Sequence, residues 1–334
     1  MSVFKNRAGL RLIQRAKAVL NLVSPQQVKQ AIRKLERREQ ELAALRRILA
    51  EKDAGVQDIG VKPENVVWVF GSGRTGSSWL TFMMGALSDH TRWNEPLVGY
   101  LFGHLYYERA WPRQDKKHFI LANGYEETWL SPIRSLVLKG GIARFPERAE
   151  GGTLVIKEPH GSLGAPLLMK ALPESRMIFL VRDPRDVTAS ALRVSFVPKG
   201  GRDRSARIKS AKEQPENFVR SRARTYSRDI KHTKEAFDAH QGHKVLVRYE
   251  DLRAETLETM KHIYSALEIP VDERELARVV ESRSFENIPE EEKGEGTIRR
   301  KATPGGWSED LTPEQIEIVE RETAQILSEF YTEG

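Results

Sequence analysis

The stretch Val66 to Leu80, VVWVFGSGRTGSSWL, limits this chain to a narrow set of folds. Val66, Val67, Trp68, Val69 and Phe70 form an unbroken apolar run of strand length, without the alternation of a strand that faces water on one side. Such a run belongs in a parallel strand buried on both faces. Gly71, Gly73 and Gly76 then supply a turn in which the backbone can take positive φ and approach a ligand closely. Ser77-Ser78-Trp79-Leu80 opens an apolar helical pattern that runs to Leu87. Strand, glycine turn and helix in that order predict an α/β fold. The amides at the helix start form an anion site, to which Arg74 adds a fixed positive charge.

Several ligands could use such a turn. Gly71, Gly73 and Gly76 fit the dinucleotide fingerprint G-x-G-x-x-G, but that pattern should be followed about 20 residues later by a second strand ending in an acid. The stretch SDHTRWNEPLVG does not read as a strand of that kind. A nucleoside-triphosphate P-loop would need G-x-x-x-x-G-K-[ST], and Arg74 stands where no P-loop lysine would sit. A ligand-free turn would leave an arginine and two hydroxyls crowded on an amide-rich loop for no reason.

Further strands follow. Thr153 to Ile156 ends in Lys157-Glu158-Pro159-His160-Gly161, at the carboxyl end of a strand, where ligands of open α/β sheets gather. Arg176 to Val181 leads into Arg182-Asp183-Pro184-Arg185-Asp186, and Pro184 suits a first helical turn, which puts Ser190 about two turns in. Lys244 to Tyr249 reads as a fourth strand.

RTGSSWL after an apolar strand resembles the 5′-phosphosulfate loop of sulfotransferases that use 3′-phosphoadenosine 5′-phosphosulfate (PAPS). By that resemblance Gly73, Arg74, Thr75, Gly76, Ser77, Ser78 and Trp79 bind the donor. Arg182 and Ser190, eight residues apart, look like the family's 3′-phosphate pair, with guanidinium geometry suited to phosphate. Tyr249 and Phe285 are similar to adenine contacts. Arg300-Lys301-Ala302-Thr303-Pro304-Gly305-Gly306-Trp307 looks like the R-K-G-x-x-G segment over the 3′-phosphate, with Ala302 in place of its first glycine. Cytosolic small-molecule members usually carry lysine at Arg74, whereas carbohydrate-modifying and many bacterial members carry arginine, which leans the acceptor towards a sugar or glycolipid.

The base is less determined. Glu95, in Asn94-Glu95-Pro96 and 21 residues beyond Arg74, is similar to a proposed general base of carbohydrate sulfotransferases and is the first choice. Lys157 resembles the strand-end lysine that assists the transferring group. His160 stands three residues after it rather than two, so His160 and Glu158 remain alternates. The resemblance thus implies a P-loop-like, mostly parallel sheet flanked by helices over residues 61–334, and a metal-free transfer from PAPS to a hydroxyl of a sugar, glycolipid or other small molecule. The co-product would be adenosine 3′,5′-bisphosphate. A kinase-like phosphotransferase and a non-catalytic, membrane-associated nucleotide binder are the rival readings.

Charge and composition bound the rest. The 39% hydrophobic content supports a sizeable core, and the absence of cysteine excludes disulfides and thiolate chemistry. Residues 1–60 hold 13 Lys/Arg against 6 Asp/Glu, so they carry the whole net charge of +7 and leave no basic surplus for nucleic acid elsewhere. Residues 1–24 form a basic amphipathic segment suited to an anionic membrane surface or to the protein's own flank. Within residues 25–60, Val28, Ile32, Leu35, Leu42 and Leu49 predict a charged helix over 28–52 that either self-associates as a short coiled coil or packs on the catalytic domain. With no apolar run near the ~18 residues that span a bilayer, and no clean signal peptide, the expected location is cytoplasmic or peripheral to a membrane.

Overall fold

The computed structural model describes residues 33–34, 61–110, 119–122, 125–195, 211–284, 287 and 304–331. The chain divides into two units, 1–59 and 60–334. Of the first, only Arg33 and Lys34 are described, both helical and exposed. The expectations for residues 1–24 and for the rest of 28–52 lie outside the described residues.

In the second unit the chain runs β1 (Val66–Phe70), α1 (Ser77–Met84), β2 (His90–Asn94), α2 (Glu126–Arg144), β3 (Thr153–Lys157), α3 (Ala165–Ala171), β4 (Arg176–Val181) and α4 (Pro184–Ser195). It continues through α5 (Pro215–Ala239), β5 (Lys244–Arg248), α6 (Thr256–Ala266), α7 (Glu273–Ser282), α8 (Pro313–Glu322) and α9 (Ala324–Phe330). The described strands form one sheet in the order β2-β3-β1-β4-β5, with every pair parallel.

The central strand is buried as its composition requires. Successive residues point to opposite faces, so Val66, Trp68 and Phe70 join the core formed with α2, α3 and α5. Val67 and Val69 join the opposite core with α1, α6 and α7. Trp68 is fully buried, and its indole N–H donates to Ser175 Oγ at 3.1 Å, which satisfies the one polar atom of the ring. A third cluster joins α4, α5 and α8 through Ala189, Val219, Ala223, Ile318 and Val319.

The stretch 88–99 departs from expectation. It contains β2, whose residues His90–Asn94 pair in register with Thr153–Lys157 of β3. This is an edge strand, and only His90 is fully covered, so it needs no apolar run and gives none in the sequence. The first helix also stops at Met84, three residues before the apolar pattern does.

α8 begins with a capping box, in which the Thr312 hydroxyl accepts the Gln315 amide at 3.3 Å and the Gln315 side chain accepts the Thr312 amide at 3.2 Å. Thr312→Ala is expected to cost about 1 kcal/mol, seen as a lower urea midpoint at unchanged slope. Among the described residues no helix is long and apolar enough to cross a membrane.

Candidate active site

Each described strand delivers its next residues to the same edge of the sheet. β1 leads to the loop 71–76, β2 to Glu95, β3 reaches Lys157 at its last position, β4 leads to Arg182 and β5 to Tyr249. In an open parallel sheet this carboxyl edge is where ligands bind.

The loop after β1 is tightly held. Arg74 and Gly76 take left-handed φ of 80° and 90°, which turn successive amides towards the helix start. A Cβ on Gly73 would stand 2.9 Å from His160 Cε1, and one on Gly76 would collide with the Tyr249 ring. Below the loop, Gly71 N donates to Ser162 Oγ at 3.0 Å and Thr75 Oγ1 donates to the Ser72 carbonyl at 2.8 Å. The Thr75 hydroxyl is therefore turned inward, and what this residue offers a ligand is its backbone. Ser77 is buried and Ser78 exposed at the N-terminus of α1.

Two sequence motifs more than a hundred residues apart meet here. Arg74 Nε donates to Ser190 Oγ at 3.0 Å, and Arg182 Nη1 donates to the Arg74 carbonyl at 3.3 Å. The Arg182 guanidinium lies 4.2 Å over the Tyr249 ring and 3.5 Å from Asp186 Oδ2. Asp186 also accepts the amides of Gly305 at 3.0 Å and Trp307 at 3.1 Å, which brings the C-terminal segment beside Arg182. Trp79 packs edge-on to Tyr249 with centroids 6.3 Å apart, and its N–H donates to the Arg283 carbonyl at 2.8 Å. Phe285, Arg300 and Lys301 lie outside the described residues.

Across the edge, Lys157 Nζ donates to Glu95 Oε1 at 2.5 Å and lies 3.5 Å from Asn94 Oδ1. Burial pushes the Glu95 carboxyl up, but its bond and charge attraction to Lys157, with His160 and Arg92 nearby, outweigh burial and leave it below the ordinary value. Burial pulls Lys157 down, Glu95 opposes that, and Arg92 and Arg74 add to the lowering. Glu95 is held at a left-handed φ of 51°, with its amide on the Lys157 carbonyl at 2.9 Å.

The alternates are placed differently. His160 is exposed and stands against Gly73. Glu158 has no solvent exposure, and its Oε1 accepts the Val98 amide at 2.8 Å at the start of the short helix Val98–Gly103. Burial pushes its carboxyl up to about 7 against the pull of the Val98 amide. Glu158 thus holds the Val98 turn through Oε1 and stays an alternate to Glu95 with a covered carboxyl.

The basic run on α5 is paired. Arg220 and Arg224 face Glu322, and Arg228 bonds Glu108 at 2.7 Å. Two residues of the same helix that sequence reasoning passed over do reach the site: Asp229 accepts a bond from Ser72 and Tyr226 binds the Arg182 backbone. The available signal was a carboxylate and a phenol on the buried stripe with Val219, Ala223 and Ile230. Among the described residues no cluster of three or more His, Asp or Glu could hold a metal ion.

In fold, the chain is similar to a crystal structure of mouse sulfotransferase SULT7A1 complexed with PAP, with 15% identity and a TM-score of 0.50 over 82% of this chain and 89% of that one. It is also similar to sulfotransferase STF9 from Mycobacterium avium, with 13% identity and a TM-score of 0.48 over 86% and 81% of the two chains. No curated protein matches the chain. The model of the Sulfotransferase family matches residues 67–273. That span runs from β1 to the start of α7, more than half of the chain and every strand described above, so the chain belongs to the sulfotransferase family.

Proposed function

We propose that this chain transfers the sulfuryl group of PAPS to a hydroxyl of a glycolipid or related carbohydrate-bearing acceptor, with residues 61–334 as the catalytic domain. The observation that carries the donor half is the meeting of the two motifs through Arg74, Ser190 and Arg182. The donor set suits an adenosine nucleotide charged at both ends. Amides of the 73–78 turn and Arg74 fit the 5′-phosphosulfate, Arg182 and Ser190 fit a 3′-phosphate, and the half-exposed Trp79, backed by the buried Tyr249, offers aromatic surface to a base. Phe285, Arg300 and Lys301 are assigned to the same nucleotide, which the anchoring of Gly305 and Trp307 on Asp186 supports.

PAPS supplies an activated sulfuryl group whose sulfur bonds the acceptor oxygen as its bond to the 5′-phosphate oxygen breaks. The chain's own part is positioning and charge. Arg74 and Lys157 neutralise charge that builds on the leaving and equatorial oxygens. Glu95 takes the hydroxyl proton, and its low pKa keeps it ionised at neutral pH. His160, beside the loop, is the alternate acceptor of that proton.

The apolar character of the acceptor rests on the residues that follow Glu95. Leu97, Tyr100, Leu101 and Leu105 are all exposed large apolar side chains on the segment that begins two residues after the proposed base. They support an amphipathic acceptor over a bare sugar. The arm 1–24 would suit presentation at a membrane surface, and 28–52 self-association.

Calorimetric titration with adenosine 3′,5′-bisphosphate, with ATP and NADH as controls, tests the donor site. The bisphosphate alone is expected to bind tightly, and Arg182→Ala to weaken it about tenfold or more, as for loss of a charge-assisted phosphate contact. Binding of ATP in preference would favour the kinase-like reading. Transfer of label from PAPS to a glycolipid but not to its free oligosaccharide would support the acceptor class.

A further inference from the structure

The donor motifs come from separate loops, yet one helix reaches both. Tyr226 and Asp229 sit three residues apart on α5, hence on one face. Tyr226 is fully buried and Asp229 nearly so. Asp229 Oδ2 accepts the Ser72 hydroxyl at 3.1 Å, and its other oxygen accepts Arg228 Nη2 at 3.1 Å. Ser72, itself without solvent exposure, accepts Thr75 Oγ1 on its carbonyl, so the carboxylate is linked through two side-chain bonds to the base of the turn. On the other side the Tyr226 hydroxyl donates to the Arg182 carbonyl at 2.5 Å and stands 3.4 Å from the Arg182 amide.

Packing alone does not explain these residues. A buried carboxylate loses hydration that an apolar side chain of similar size would not, and such replacements are often neutral or stabilising. What the polar groups add is a fixed geometry. α5 is seated in the core by Tyr226, Ile230 and Ala236, so its face is a rigid reference for both loops.

We propose that Asp229 and Tyr226 are positioning residues, one for each half of the donor site: Asp229 holds the 5′-phosphosulfate turn through Ser72, and Tyr226 holds Arg182 for the 3′-phosphate. The inference rests on the donor reading above. It assigns different consequences to the two side chains. Loss of the Asp229 anchor loosens the turn that every adenosine 5′-phosphate must use. Loss of the Tyr226 hydroxyl acts first on ligands that carry a 3′-phosphate and reaches the turn only through the bond from Arg182 to the Arg74 carbonyl.

The test uses the full-length chain and two measurements. In hydrogen exchange, Asp229→Ala is expected to speed exchange at the amides of residues 72–76, and Tyr226→Phe at 182–183, with α5 itself still protected. In calorimetry, Asp229→Ala is expected to weaken adenosine 3′,5′-bisphosphate and AMP alike by about tenfold, whereas Tyr226→Phe weakens the bisphosphate by a similar factor and AMP much less. Asp229→Asn, which keeps an acceptor for Ser72, is expected to retain most of the affinity. Unchanged exchange in the 72–76 turn of a folded Asp229→Ala protein would overturn the role of Asp229. Equal loss of both nucleotides in Tyr226→Phe would overturn that of Tyr226. If wild type bound neither nucleotide, the donor reading would fail, while the exchange data would still decide whether α5 anchors the two loops.

Discussion

Arg74→Ala is expected to lower turnover on the order of 10²-fold or more, the cost of removing a preorganised charge from a developing anion. The residue sits between the two halves of the proposed donor site: its side chain reaches Ser190, and its carbonyl receives Arg182. Alanine keeps the carbonyl and removes the guanidinium. The affinity for adenosine 3′,5′-bisphosphate, which lacks the sulfuryl group, should therefore fall much less than kcat. That split separates lost chemistry from lost binding. Arg74 also takes a left-handed φ of 80°, so part of any change in stability is conformational. Alanine meets the same backbone penalty there, of about 1–2 kcal/mol for an ordinary side chain, and the comparison is fair. Arg74→Lys supplies the control for charge. It restores a cation without the planar fork, and is expected to recover much of the rate but not the geometry at Ser190. Single-turnover rates for the three proteins decide the matter, and near-normal turnover for Arg74→Ala would remove the residue from the mechanism.

The parts legible in the sequence are those in which one local rule dominates. β1 was readable because a central strand must be apolar on both sides, and β3 and β4 for the same reason. β2 was not, because an edge strand is free to be His90-Thr91-Arg92-Trp93-Asn94 and presents no run at all. Its existence matters for the site, since it carries Glu95 to the sheet edge next to Lys157. The nearest-neighbour motif around Arg74 and the strand-turn-helix at Arg182 were likewise readable. Their contact was not, since it depends on strand order. Asp229 and Tyr226 were hidden for a related reason: Ser72 and Asp229 lie 157 residues apart, and no spacing rule links a helix face to a loop it meets only after folding. Glu158 was legible only in part: its place beside Lys157 is read directly from the sequence, but the bond of its carboxylate to the Val98 amide, 60 residues away, is not.

Glu95→Gln is expected to lower kcat/KM by about 10²- to 10⁴-fold, the range for loss of a positioned general base. Size alone would not identify the base, because the amide also disrupts the bond to Lys157. The pH profile does. The carboxyl of Glu95 is held below its ordinary value, so the base form persists as pH falls, and the acid limb of wild-type kcat/KM should lie below the usual glutamate range near about 4.3. The partner that keeps it there is Lys157, at 2.5 Å. In Lys157→Met the burial that opposes ionisation is no longer offset by that ammonium, so the same limb should move to higher pH. The overall rate will also drop, since Lys157 is assigned to charge neutralisation, but the position of the limb is independent of its height. Glu95→Gln should abolish the limb. His160 makes a different prediction: as the base it would give an acid limb that is lost in His160→Gln and persists in Glu95→Gln. An acid limb that stays in place in Lys157→Met and survives Glu95→Gln would transfer the proton from the carboxylate to the imidazole.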